Sequence, residues 1–294
     1  MDCKALTTKG TQWHFCPSMS ASIVFTILFA GVTLLHIVQA IFHRTWYSWV
    51  IVVSGALQVA TYVFRDLSIR EPDSEIYYVL WFVLILIASV WTNAYVYMVF
   101  GRMVWRYQPN RTVLKLKAWH YGTSFVLLDM LAFIVQVGGA VMAARPGAKM
   151  EDVMRGLHTY MVGVGIQETF ILCFCVVVFA FLRDLRRQRG KVDVSSPILL
   201  VWVLLAALFF ITVRIVFRLV EYSSGLDSSI PNHEGWQYGL DSLPMLIALL
   251  LFNLFHPGRI MPADETKIPS FFERRRLKRH GVDLEKNPYY EHAI

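Results

Sequence analysis

A chain of 294 residues that is 56% hydrophobic and only 17% charged departs from ordinary soluble composition, in which about 25% of residues are charged. Its net charge of +7 would suit nucleic acid, but the Lys and Arg residues lie between long apolar blocks, which argues against a nucleic-acid partner and for a membrane surface. The four cysteines include no CxxC pair, so a zinc module is excluded and no metal or cofactor is expected.

In chain order, residues 1–19 lack the apolar core of a cleavable signal peptide, so the first span is expected to serve as signal anchor. Cys3 and Cys16 both precede that span. An oxidising compartment would permit a disulfide there, and the sequence leaves open whether the two are bridged. Seven apolar spans are predicted at about 20–42, 46–63, 76–100, 119–144, 157–182, 198–220 and 236–255, each near the roughly 20 residues that hydrocarbon requires. Pro197 sits where a helix-initiating proline belongs. Trp46, Trp119 and Trp236 open their spans as interfacial aromatics. The expected fold is therefore all-α, a polytopic seven-transmembrane-helix bundle. It divides into an extracellular segment (1–19), a membrane domain (20–258) and a basic cytoplasmic tail (259–294).

Orientation follows from the basic residues. With the N-terminus outside, the cytosolic side holds Arg44, five basic residues in 101–118, five in 183–193 and eight in 256–294. The outer side holds seven: Lys4, Lys9, Arg65, Arg70, Arg145, Lys149 and Arg155. The positive-inside rule thus predicts N-out, C-in. In the tail, Ser270 to Glu273 reads as a capping box that opens a short helix. Arg274, Arg275, Arg276, Lys278 and Arg279 follow it, with Phe271, Phe272 and Leu277 interspersed, so residues 270–280 are expected to meet anionic inner-leaflet lipid.

Polar residues inside spans are the functional candidates, because ionisable groups there are costly. Asp129 and Glu168 fall near the middle of the fourth and fifth spans, and Gln58 lies at comparable depth in the second. Gln136, seven residues after Asp129, points the same way, and Gln167 precedes Glu168. In the sixth span Arg214, Arg218 and Glu221 share a face, and Asp241 enters from the outer end of the seventh. Two readings stand side by side: a clasp that neutralises itself across two helices, or a polar site open to the outer leaflet for a headgroup or amine. The seventh span has no lysine for a retinal Schiff base. The third ends in Phe100-Gly101-Arg102-Met103 and the seventh in Asn253-Leu254-Phe255-His256-Pro257-Gly258, unlike G-protein-coupled receptors. His36, His120, His158 and His256 are scattered over four spans or their ends, which argues against a metal hydrolase. No phosphate-cradling glycine loop is present, so direct ATP use is not expected.

The stretch Val213-Arg214-Ile215-Val216-Phe217-Arg218-Leu219-Val220-Glu221-Tyr222 resembles the sixth-span signature of the fungal RTA-like family, the lipid-translocating exporters. The likeness continues through His233-Glu234, Trp236, Tyr238, Asp241, Pro244-Met245 and Asn253 to Arg259. Earlier pieces agree: Leu35-His36, His43 to Trp46, Tyr62 with Arg65, Tyr97-Met98, Gly101-Arg102, Asp129, Gln136, Gly138-Gly139 and Gly165-Ile166-Gln167. Gln58 and Thr61 depart from the pattern, which has Glu and Gly there. The resemblance implies a seven-helix protein, often of the plasma membrane. It would be a non-enzymatic transporter or flippase-like exporter of amphipathic molecules such as sphingoid bases, sterol-like toxins or haem, and it would confer resistance to them. A seven-helix lipid sensor is the alternative, and an intramembrane lipid hydrolase the third reading.

Overall fold

The computed structural model describes residues 3–143, 145, 149–188, 195–223, 233–262 and 266–280, apart from Gln12 and His14. Among the described residues, seven helices are long and apolar enough to cross a membrane. They are α1 (Met19–Phe42), α2 (Trp49–Arg70), α3 (Glu75–Tyr107), α4 (Ala118–Ala143), α5 (Met150–Arg187), α6 (Ser195–Ser223) and α7. The last is built from an α segment Glu234–Gln237, a π-helical turn Tyr238–Ser242 and an α segment Leu243–Leu254. The chain is a multi-pass membrane protein.

The helices form for local reasons. Ser18 caps α1 by accepting from the Ala21 N–H. The tight turn after it needs Arg44 at φ 52°, and a 3-10 turn Trp46–Ser48 leads into α2. Between α3 and α4 the chain makes a short hairpin, in which β1 (Thr112–Val113) pairs antiparallel with β2 (Leu116–Lys117). Leu114 and Lys115 both have positive φ, as a two-residue hairpin turn demands. This pair is the one departure from pure helix among the described residues.

Each helix packs on its sequence neighbours, and α7 returns to α1, so the bundle closes on itself. α3 is the most enclosed span and also touches α5 and α6. On α4 the buried residues are Ala118, Tyr121, Phe125, Asp129, Ala132, Gln136 and Gly139, while Leu127, Leu131 and Ile134 are exposed. That helical spacing puts the polar groups inward and the apolar groups toward lipid. Along α4 and α5 the backbones nearly touch. A Cβ on Gly139 would enter the backbone of Gly156 and Tyr160, and one on Gly163 would enter Gln136 and Ala132.

Two helices outrun their predictions. α3 spans 33 residues and α5 spans 38, longer than the hydrocarbon core needs. The apolar windows at 76–100 and 157–182 mark only the lipid-embedded part. α2 likewise continues past residue 63 to Arg70, so Arg65, counted above with the outer loop, is a fully buried helix residue.

At the face that carries the N-terminus, the described residues of the segment before α1 fold over the ends of α2 and α3. Cys3 and Cys16 form a disulfide with Cα atoms 6.0 Å apart, and Trp13 packs against Trp81. At the opposite face, the tail helix α8 (Phe271–Arg279) begins with the reciprocal bonds of a capping box. The Ser270 N–H donates to Glu273 Oε2 at 2.9 Å, and the Glu273 N–H donates to Ser270 Oγ at 3.3 Å. Residues 281–294 of the tail and 224–232 of the last connection lie outside the described residues.

Candidate functional site

The sharpest constellation joins α6, α7 and α3. Arg214 and Arg218 stand one turn apart on α6, and Glu221 follows on the same face. All three are buried, and Asp241 of α7 is wholly so. Arg214 Nε donates to Asp241 Oδ1 and Arg218 Nη2 to Asp241 Oδ2. Arg218 Nη1 donates to Glu221 Oε2 at 3.0 Å. Arg214 also donates to Ser89 Oγ and, at 2.9 Å, to the Ile85 carbonyl of α3. Two guanidinium and two carboxylate groups thereby cancel in an interior where an unpaired charge would be prohibitive. Asp241 lies in the π-helical turn, a widened turn of a kind found often at functional sites.

A second buried cation lies nearer the N-terminal face. Arg65 donates to Glu234 Oε1 at 2.8 Å and to Gln237 Oε1 at 3.1 Å. Its guanidinium lies 4.7 to 5.2 Å from the ring centroids of Trp81, Trp13 and Tyr238. Trp13 is held in turn by its indole N–H, which donates to the Ser68 carbonyl at 3.2 Å. Glu234 Oε2 accepts from the Ser18 N–H at 2.8 Å, so the N-terminal segment is bolted to α7.

Deeper in the bundle the bonds that join Asp129, Gln136 and Gln167 to their partners involve no cation. Asp129 is fully buried and accepts on Oδ2 from Asn93 Nδ2 at 2.9 Å and from the Tyr97 hydroxyl at 3.1 Å. Asn93 lies one turn below Ser89 on α3, about 6 Å along the axis, so this pair continues the line from Arg214. Gln136 Nε2 donates to Gln167 Oε1 at 2.8 Å between α4 and α5. Glu168 is half-buried and reaches Thr212 of α6. Gln58 is buried, but no bond joins it to these groups, and its Nε2 has no hydrogen-bond partner.

Beside this column runs an apolar groove of about 520 Å³, lined by Thr212, Val213, Val216, Phe217, Val220, Trp236 and Leu240. It lies on α6 and α7, the helices that carry the charge cluster, so one helix pair presents charge inward and an apolar trough sideways. A smaller groove of about 380 Å³ opens at the opposite face, where Arg102 and Arg274 join Met98, Trp119 and Ile268. Among the described residues no group of three or more His, Cys, Asp or Glu could hold a metal ion. His43 and His256 do stack, with ring centroids 4.9 Å apart.

Of the residues singled out from sequence, Arg214, Arg218, Glu221 and Asp241 meet in one network. Gln136 and Gln167 form a pair, and Asp129 connects to the network through α3. The neutral partners Ser89 and Asn93 were missed, and Tyr97 entered only as part of the family resemblance. The signal was available: Ser89, Asn93 and Tyr97 recur every fourth residue in a span, which writes a polar stripe on one helix face. Arg65 was also missed as an interior residue, although Tyr62 and Arg65 are three apart on α2.

Fold and site together define a seven-helix membrane protein with a charged, self-neutralising core and a lipid-side groove. Residues 51–264, from the start of α2 to beyond α7, match the RTA1 like protein family, and the chain belongs to that family. It is 34% identical over 263 residues to a probable lipid transporter, atnI, of Emericella nidulans, covering 86% of this chain and 69% of that protein. It is 25% identical to protoporphyrin uptake protein 1 of Saccharomyces cerevisiae, over 82% of this chain and 90% of the relative. It is 24% identical to the sphingoid long-chain base transporter RSB1 of the same species, over 90% and 78%. No solved structure matches.

Proposed function

We propose that this protein is a membrane transporter of lipophilic, amphipathic molecules, acting as a flippase-like exporter rather than an enzyme. The observation that carries the reading is the juxtaposition on α6 and α7 of a buried Arg–carboxylate network with an apolar groove of about 520 Å³. An amphipath needs both, since its headgroup cannot enter bare hydrocarbon and its tail is costly to expose to water. The names of the relatives support a lipid-like substrate and leave its class to experiment. The substrate path runs past Arg214, Arg218, Glu221 and Asp241, then Asp129, Gln136, Gln167 and Glu168, with Gln58 on the neighbouring helix.

The excess of Lys and Arg at the C-terminal face favours N-out, C-in topology, and the plasma membrane is the location that the family resemblance implies. In that topology α8 meets the anionic inner leaflet, and the groove between Arg102 and Arg274 supports contact with lipid there. The test is flux of labelled sphingoid base, sterol and haem in proteoliposomes of the purified chain. Movement of at least one, above protein-free vesicles, is expected; no movement of any would overturn the reading.

A further inference from the structure

Among the described residues Asp129 and the half-buried Glu168 are core carboxylates that face no arginine, and of the two only Asp129 is fully buried. Asp241, Glu221 and Glu234 each face an arginine. Asp129 is fully buried, and its two donors, Asn93 and Tyr97, are uncharged and both serve Oδ2. The other titratable groups near it are Tyr97 on α3 and, within electrostatic reach of Tyr97, Glu168 and Cys175 on α5. Arg214, which meets α3 at Ser89 one turn from Asn93, has its guanidinium committed to Asp241, Ser89 and the Ile85 carbonyl. A bare carboxylate in such a place is costly, and the usual resolution is to neutralise it.

The hydrogen bonds show where the neutralising proton belongs. Two buried oxygens here have no partner: Asp129 Oδ1 and Asn93 Oδ1. Both groups are already joined by the bond from Asn93 Nδ2 to Asp129 Oδ2 at 2.9 Å. A protonated carboxyl gains one O–H donor. A proton on Asp129 Oδ1 supplies the donor that Asn93 Oδ1 lacks and closes a reciprocal acid–amide pair. The pair is also occluded from both faces. Toward the N-terminal face stands the Arg214–Ser89 contact. Toward the other lies a buried aromatic plug, with Tyr97, Phe125, Phe174, Phe100 and Tyr121 in ring contact.

We infer that Asp129 is the proton-binding site of the transporter, neutral in this occluded state, and that it exchanges its proton for the ammonium group of an amphipathic amine. This inference rests on the transport reading and names its substrate class and its coupling. At one face the carboxyl releases a proton to water, and the resulting carboxylate pairs with the ammonium. At the other face a proton from water displaces that ammonium and restores the acid. One proton moves one way for each monovalent cation moved the other way, so the cycle carries no net charge.

The substitution Asp129→Asn separates this role from a structural one. Its amide keeps an acceptor for Asn93 Nδ2 and Tyr97 and gives Asn93 Oδ1 a donor, so the fold is expected to be retained with an unchanged melting midpoint. Infrared spectroscopy of the purified wild-type chain at neutral pH is expected to show a protonated-carboxyl carbonyl band that is lost in D129N. In proteoliposomes, a pH gradient is expected to raise flux of a labelled sphingoid base several-fold above protein-free vesicles, and D129N is expected to abolish that increment. No such band in the wild type, or an increment that survives in D129N, overturns the inference. A band without flux of any probe overturns the transport reading, and the exchange with it, while leaving the neutral carboxyl established.

Discussion

Two sets of arginines are buried in the same bundle, and the protein settles them differently. Arg65 has one carboxylate, Glu234, whose side chain is 14% exposed, and is otherwise dressed in the faces of Trp13, Trp81 and Tyr238. Arg214 and Arg218 share Asp241, a carboxylate with no exposure at all. Aromatic faces attract a cation without carrying charge themselves, so Arg65 loses only part of its stabilisation when any one ring goes, while Glu234 supplies its neutralising charge. Asp241 is the sole carboxylate of Arg214, and its removal strands a charge. The first arrangement fastens a terminal segment. The second concentrates its electrostatics in one atom group on α7, which suits a site whose contacts must be broken and remade.

The largest expected effect tests that concentration. Asp241→Asn leaves Arg214 unpaired and should cost about 3–5 kcal/mol, seen as a lowered midpoint in detergent. Replacing Arg218 by Gln in the same chain should recover part of that loss, because the cluster then holds one arginine and one carboxylate and its net charge returns to zero. If the network also lines the substrate path, the double variant will fold and still fail to move sphingoid base. Normal flux in a folded double variant would leave the network as a clasp alone.

Arg65→Gln should be milder, about 1–3 kcal/mol, and local. Its sign is freer protease access to residues 3–18 and a shift in Trp13 emission, with the midpoint of the bundle moving less than in Asp241→Asn. Equal loss in the two variants would erase the contrast between them.

The smallest effect is expected where a carboxylate pairs in water. Hydrogen bonds from the Ser270 backbone N–H and hydroxyl hold the Glu273 carboxyl below the usual range. A depressed value means that the cap contributes fully above the unfolded carboxyl value of about 4.3. Its contribution fades as pH falls through the lower folded value. Hydrogen exchange of the α8 amides in the full chain should therefore quicken on acidification, and Glu273→Gln should flatten that response.

Much of this was legible in the sequence. Spans show because twenty apolar residues in a row have few other uses, and Arg214, Arg218, Glu221 and Asp241 show because charge in such a run is conspicuous. Arg65 was hidden for a physical reason. Hydropathy falls at residues 65 and 66, as it does at a span's end, and partners distant in sequence, Trp13, Trp81, Glu234 and Tyr238, make the position interior. Asn93 was hidden because uncharged polar residues in spans commonly do no more than bond to a neighbouring helix. Its importance comes from Asp129 opposite, a pairing between helices that neither helix announces alone. The ends of α3 and α5 were short because hydrophobicity records the thickness of lipid, not the length of the rod passing through it.

The glycine seam between α4 and α5 has a mechanical consequence. With Gly139, Gly156 and Gly163 letting main chain meet main chain, these two helices can neither slide nor roll past each other without collision. They behave as one double-width strut. Any rearrangement that admits a substrate must then be borne at other seams. The α3–α4 boundary, bridged by the Asn93–Asp129 pair, is one such seam. A rearrangement of the α6–α7 pair, which carries the π turn, would run against the strut rather than within it.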